Sequence, residues 1–198
     1  MDILIKNATI LDGSGAAAYT GSVGIKDGKL VLSNLPDTAE EVIDATGKYL
    51  APGFIDVHSH GDELIGGGSF GDLCKVNQGV TTQIGGQCGV SAAPTSAAYR
   101  QDPVVSRDAM NQDLLRRREA GLSWPEYAEF VRSVPKVTNY KLFVGFNAIR
   151  IAAMGYADRA PTDAELSHMK AMLKDAMEAG AVGMSSGLAY VPGTYAKT

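Results

Sequence analysis

From residue 51 onward the chain alternates short apolar runs with amphipathic segments, and this rhythm restricts its fold more than any other feature. "GFIDVHSH" (53–60), "TTQIGGQC" (81–88), "KLFVGF" (141–146) and "AVGMSSGL" (181–188) read as strands. The passages between them are long enough to carry the chain back by a helix, as parallel pairing requires. Two helices announce their starts. "TDAE" (162–165) is a capping box in which Thr162 covers the first turn and Glu165 reaches back. Leu166, Met169, Met172, Leu173, Ala176 and Met177 then share one stripe, and Gly180 stops the helix. "SWPE" (123–126) repeats the design with Ser123, Pro125 and Glu126, followed by Tyr127, Phe130, Val131 and Val134 on one face. Residues 106–120 predict a further helix ending at Gly121, and "ELIGGGSFGDLCKVNQG" would return the chain to the second strand.

The first 50 residues have a different period. "DILIKNATIL", "SVGIKDGKLVLS" and "EVIDATGKYLAPG" read as short strands, and Asp27-Gly28 between apolar runs signals a tight hairpin turn. The chain therefore divides at residue 50 into a small β segment and, over 51–198, the start of an α/β barrel or doubly wound sheet.

Composition excludes several functions. With 18 basic against 22 acidic residues, the net charge of −4 offers no footprint for nucleic acid or an anionic membrane. No apolar stretch approaches the roughly 20 residues of a membrane span. Two cysteines cannot make a disulfide framework, and "MDILIKNATI" does not read as a secretion signal. The expectation is a cytoplasmic protein.

His58 and His60 are two of only three histidines. At i and i+2 of a strand they project from one face, at the end where parallel α/β folds bind ligands. Two polar residues closing a strand toward water would look the same. A soft ligand, Cys88, ending the next strand tips the reading to a divalent metal. Asp62 could add an oxygen ligand or orient an imidazole. Cys74, on the helix, reads as a small buried hydrophobe, and His168, off its helix's apolar stripe, as a surface residue. "SSGLAYVPGTY" (185–195), carrying Ser185, Ser186 and Tyr190, is either a substrate-binding loop or a glycine- and proline-shaped turn.

"LIKNATILDGSG", "VIDATGKYLAPGFIDVHSHGD", "QGVTTQIGGQCGVSAAP", "SWPEYAEFV" and "AMEAGAVGMSSGLAYVPGTYA" resemble, in order, successive blocks of the amidohydrolase superfamily and, within it, the N-acyl-D-amino-acid deacylases. The resemblance implies the N-terminal portion of a metal-dependent (β/α)8 TIM-like barrel preceded by a small β-sandwich segment. Residues 1–50 would belong to the sandwich and 51–198 to the first roughly four β/α units. It implies one or two zinc ions held by His58, His60 and a bridging Cys88, and a substrate contact from Tyr190. The implied reaction is hydrolysis of the N-acyl amide of N-acyl-D-amino acids. The chain departs from the family at "LFVGFNAIR" (142–150), where Phe146 and Asn147 replace part of a glycine-histidine-glycine pattern.

A full barrel takes about 250 residues. The family's two further histidine ligands and its proton-shuttling aspartate are expected beyond Thr198, so the 198 residues alone are expected to be inactive. Two other readings stay open. One is a cyclic-amide hydrolase of the dihydroorotase or hydantoinase kind. The other is a non-catalytic, metal-binding or interaction module that self-associates or pairs with a complementary C-terminal chain.

Overall fold

The computed structural model describes residues 1–66, 70–103 and 106–197, which form two compact units, 1–53 and 54–198. Residues 67–69 of the predicted return segment lie outside the described residues. Among the described residues, no helix is long and apolar enough to cross a membrane.

The first unit is a five-stranded sheet built on β1 (Ile3–Ile10). β2 (Tyr19–Lys26) runs antiparallel to β1, and β3 (Lys29–Val31) antiparallel to β2. β4 (Glu41–Asp44) and β5 (Tyr49–Leu50) both run parallel to β1. The Asp27-Gly28 hairpin forms as its residues predict: φ is 50° and 71°, and Lys26 pairs Lys29. Ala8, Ile10, Val23 and Ala45 make a small core of their own.

In the second unit, β6 (Phe54–Asp56), β7 (Val80–Gly85) and β8 (Asn139–Leu142) pair in parallel. β9 (Val144–Gly145) follows one residue after β8 and pairs in parallel with β10 (Met184–Ser185). Bonds from Phe143 N–H to the Gly85 carbonyl and from Val182 N–H to the Leu142 carbonyl knit the two sets. The strands thus neighbour one another in chain order, which is the arrangement successive β-α-β crossovers produce.

The connections are α1 (Phe70–Val76), α2 (Gln112–Ala120), α3 (Trp124–Ser133), α4 (Phe146–Met154) and α5 (Asp163–Glu178). Both predicted capping boxes are present, at Ser123/Glu126 and Thr162/Glu165. Leu114, Trp124, Tyr127, Phe130, Val144, Ile149, Met169 and Ala176 form the core between helices and strands. On α5 only Met169 and Ala176 of the predicted stripe are fully buried, while Leu166 and Met177 are exposed.

Four expectations need correction. The first barrel strand stops at Asp56, before the histidines. The predicted helix over 106–120 is broken into a short 3-10 turn at 107–109 and α2, because Asn111 caps α2 by accepting from the amides of Asp113 and Leu114. The strand expected to reach Phe146 ends at Gly145, and Phe146 begins α4 instead. Cys74 is exposed, not buried. Its neighbour Lys75 is the α1 side chain that reaches the strand, where it pairs with Asp56.

Candidate metal centre

Asp56 closes β6, and its carboxylate accepts from the amide of His58 (3.2 Å) while pairing with Lys75. The Lys75 hydrogen bond holds the Asp56 carboxyl below the usual carboxylate range. Ser59 then does what a strand residue would do. Its side chain is buried on the packing side, donating to Gln83 Oε1 (2.9 Å) and accepting from Gly61 N–H (3.0 Å). With Ser59 pinned inward, the residues on either side of it turn the other way. Their ring centroids are 5.7 Å apart, inclined at 64°. Gln83 is held in turn by Thr138 Oγ1 (2.9 Å) and the Tyr140 hydroxyl (3.0 Å).

After His60 the chain makes a 3-10 turn, Gly61–Leu64, that buries both Asp62 and Glu63. Asp62 lies away from the imidazoles in bonding terms. Its carboxylate accepts from the amide of Ala92 (3.2 Å), and its carbonyl accepts from the Tyr127 hydroxyl (2.7 Å). Burial pushes the Asp62 carboxyl up, against the pull of amides at Gly86 and Ala92. Glu63 forms a buried ion pair with Arg118 of α2 (3.0 Å), and the same guanidinium donates to the Ala92 carbonyl (2.7 Å).

Cys88 occupies the loop after β7, in a left-handed conformation at φ 56°, between Gly86 (φ 72°) and Gly89 (φ 75°). A non-glycine residue there is uncommon and needs outside support. Two later elements and one earlier residue supply it. The Ser185 hydroxyl donates to the Gly86 carbonyl (2.5 Å) and accepts from Gly89 N–H (3.0 Å). The Gly89 carbonyl caps the open first turn of α4, accepting from the amides of Asn147 (2.9 Å) and Ala148 (3.2 Å). Gln87 Nε2 donates to the Val57 carbonyl (3.0 Å), tying the loop to the residue before His58. The approach is close enough that a Cβ on Gly86 would overlap the Phe143 carbonyl, and one on Gly187 the Cys88 carbonyl.

The structure thus brings together three of the residues singled out in the sequence. One ligand atom each from His58, His60 and Cys88 lies within 4.8 Å of the others, and His58 Nε2 is 3.3 Å from Cys88 Sγ. Tetrahedral zinc places imidazole and thiolate donors about 3.5 Å apart. Small side-chain rotations would close the observed set on an ion, so the residues fit one. Tyr190 and Ser186 are exposed beyond β10. Ser185, read as a substrate contact from sequence, has its single donor proton on Gly86. His168 is exposed on α5, as expected. Sequence reasoning missed Ser59, Gln83 and Gln87, and it flagged Asn147 only as a departure from the family pattern. Gln87 alone had a local signal, standing beside Cys88 in a glycine-dense run.

Comparison with known proteins places this geometry. The amidohydrolase family pattern matches residues 41–196. An N-acyl-D-aspartate deacylase of Alcaligenes xylosoxydans xylosoxydans is 38% identical, the match covering all of this chain and 39% of that protein. A crystal structure of N-acyl-D-glutamate deacylase from Bordetella bronchiseptica, complexed with zinc and a phosphonate inhibitor, has a TM-score of 0.77 at 38% identity, covering 99% of this chain and 40% of that one. A D-aminoacylase with a binuclear metal centre gives 0.83 at 30% identity over the same shares. The chain spans about 40% of the length of these relatives. With its residues 41–196 matching the family pattern and its α/β fold resembling the N-terminal portion of D-aminoacylases, the chain belongs to the amidohydrolase family.

Proposed function

We propose that the chain is the N-terminal, metal-binding portion of a zinc-dependent N-acyl-D-amino-acid deacylase. In this reading it helps hydrolyse the N-acyl amide to a carboxylate and a D-amino acid. The observation that carries it is the convergence of His58, His60 and Cys88 at the exits of two neighbouring parallel strands. Its parallel strands β6 to β10, with β8 and β9 taken as one interrupted strand, are the first units of a (β/α)8 barrel, and residues 1–50 are part of a small β-sandwich.

His58, His60 and Cys88 would hold zinc, the ion favoured by mixed imidazole and thiolate donors. When bound, zinc supplies Lewis acidity to the scissile carbonyl and lowers the pKa of water to about 7. The chain's own groups orient and admit. His58 is exposed, which leaves its side of the cluster open to a substrate. Tyr190, 55% exposed, and the Ser186 hydroxyl would contact the acyl-amino acid. The remaining ligands and the proton-shuttling aspartate come from residues outside these 198.

Zinc titration followed by amide hydrolysis tests the reading. The 198-residue chain should take up zinc with an affinity that falls on Cys88→Ala. The protein at the relatives' full length should hydrolyse N-acyl-D-amino acids in preference to cyclic imides. Zinc uptake indifferent to Cys88, or preference for cyclic imides, overturns it. Hydrolysis by the 198 residues alone would remove the assignment of missing groups.

An interaction module has one observation in its favour. Phe54, Ile55 and Val57 near β6, and Val182, Met184 and Leu188 near β10, are exposed. Apolar edge strands invite pairing, so this reading requires oligomers in light scattering, and a monodisperse monomer rejects it.

A further inference from the structure

We infer that Ser185 is a positioning residue for Cys88: its hydroxyl bridges the two ends of the turn that carries the thiol and so aims Sγ at the imidazoles. The inference rests on the metal-centre reading above and assigns a role to a residue that touches neither ion nor substrate.

A serine hydroxyl has one proton to give and two lone pairs to receive. In this protein the proton goes to the Gly86 carbonyl at 2.5 Å, and a lone pair takes Gly89 N–H at 3.0 Å. Gly86 and Gly89 are residues i and i+3 of the turn whose interior is Gln87-Cys88. A tight turn commonly closes with a direct hydrogen bond between those two groups. The Ser185 hydroxyl stands between them instead, holding the turn at a fixed opening.

That opening matters because Cys88 sits at φ 56°, where a residue with a Cβ does not stay unaided. The backbone adds one restraint of its own, from Val90 N–H to the Gln87 carbonyl (2.9 Å), which closes the overlapping turn around Cys88 but does not join Gly86 to Gly89. The amides of Asn147 and Ala148 hold the Gly89 carbonyl, and Gln87 holds the Val57 carbonyl. Among the described residues, Ser185 is the side chain that bonds both Gly86 and Gly89, on either side of the thiol. Ser185 is itself fixed, pairing with Gly145 in the parallel ladder.

The test compares Ser185→Thr with Ser185→Val in the full chain, in a Cys74→Ser background so that Cys88 is the only thiol. The two variants share a shape and differ in the hydroxyl. Cobalt(II) is the probe, read by its thiolate-to-metal charge-transfer absorption. Both the Cys74→Ser parent and Ser185→Thr should show the band. Ser185→Val should lose most of it, with cobalt affinity falling about 10–100-fold, as when groups that orient a metal ligand are removed. Without metal, Cys88 in Ser185→Val should alkylate faster than in Ser185→Thr. Equal bands and equal alkylation in the two variants overturn the positioning role while leaving the metal centre standing. A parent whose band is missing, or survives Cys88→Ala, overturns the metal-centre reading and this inference with it.

Discussion

His58 and His60 are placed by their neighbours, whereas Cys88 is placed by residues almost a hundred positions away. The histidine segment follows directly on β6, after a bend at residues 57–58. Ser59 is pinned to Gln83, and Asp56 receives the His58 amide two residues on. The cysteine turn has one local bond, from Val90 N–H to the Gln87 carbonyl, and otherwise depends on distant residues. Its backbone is left-handed, its flanks are glycines, and its bonds run to Asn147 and Ser185. One half of the candidate site, held mainly by near neighbours, thus faces one held mainly by tertiary assembly, and the two should respond differently to damage.

Arg118→Ala should have the largest effect, because this buried guanidinium bonds both halves, to Glu63 after His60 and to Ala92 after Cys88. Breaking a buried pair by removing one partner costs about 3–5 kcal/mol, readable as a drop in the urea midpoint. A variant within 1 kcal/mol (an order-of-magnitude threshold of about one hydrogen bond) would show that the halves do not depend on this link. Gly86→Ala should come next. Its Cβ would meet the Phe143 backbone and its φ is 72°, so overpacking and left-handed strain together cost about 2–4 kcal/mol. Gly61→Ala, on the histidine side, meets the end of the Gln83 side chain and is not in the left-handed region, so it should cost less. The comparison fails if thermal unfolding ranks the two in the opposite order.

Ser59→Ala is a smaller lesion. It strands Gln83 Oε1 and Gly61 N–H, a loss of about 1–2 kcal/mol, and zinc affinity should fall while Cys88 alkylation in metal-free protein stays unchanged. A faster-reacting Cys88 would mean the halves are not separable. Thr162→Ala, at the cap of α5, should cost about 1 kcal/mol and leave metal uptake untouched. The same cap titrates. Hydrogen bonds from Arg159 and Thr162 lower the Glu165 carboxyl from its usual 4.5 to about 2. Its folded value lies below its unfolded one, so the stabilisation is present above about pH 4.5 and lost as pH falls toward 2. The gap in melting temperature between the parent and Glu165→Gln should therefore close over that window; a gap constant with pH would sink the assignment.

The same contrast explains what could be read from the sequence. Capping boxes, the Asp27-Gly28 turn and the His58/His60 spacing are written within four residues, so local rules find them. Cys88 was visible as a residue type but not as a conformation, because a left-handed cysteine is defined by what surrounds it. Ser185 illustrates the cost of reading locally: two adjacent hydroxyls in a loop suggest a ligand, and only the packed structure shows one of them bonded on both sides. The start of α4 at Phe146 was hidden for a related reason, its first amides being capped by a carbonyl from another strand's loop. The exposure of Cys74 was missed because seven residues of helix give too little pattern to orient.

The distance between Cys88 and Ser185 also sets an order of events during synthesis. The ribosome delivers Gly86 and Gly89 nearly a hundred residues before the hydroxyl that joins them, about 5–20 seconds at ordinary elongation rates. During that interval the imidazole pair can already be in place, since Ile84 is the last of the residues bonded directly to its backbone and Ser59. We therefore expect chains stalled before residue 185 to leave Cys88 more open to alkylating reagents than chains released past it, and equal reactivity would refute that order. On the proposed reading, a nascent chain of this kind would meet its ion first as a nitrogen site and become a sulfur site only when β10 arrives.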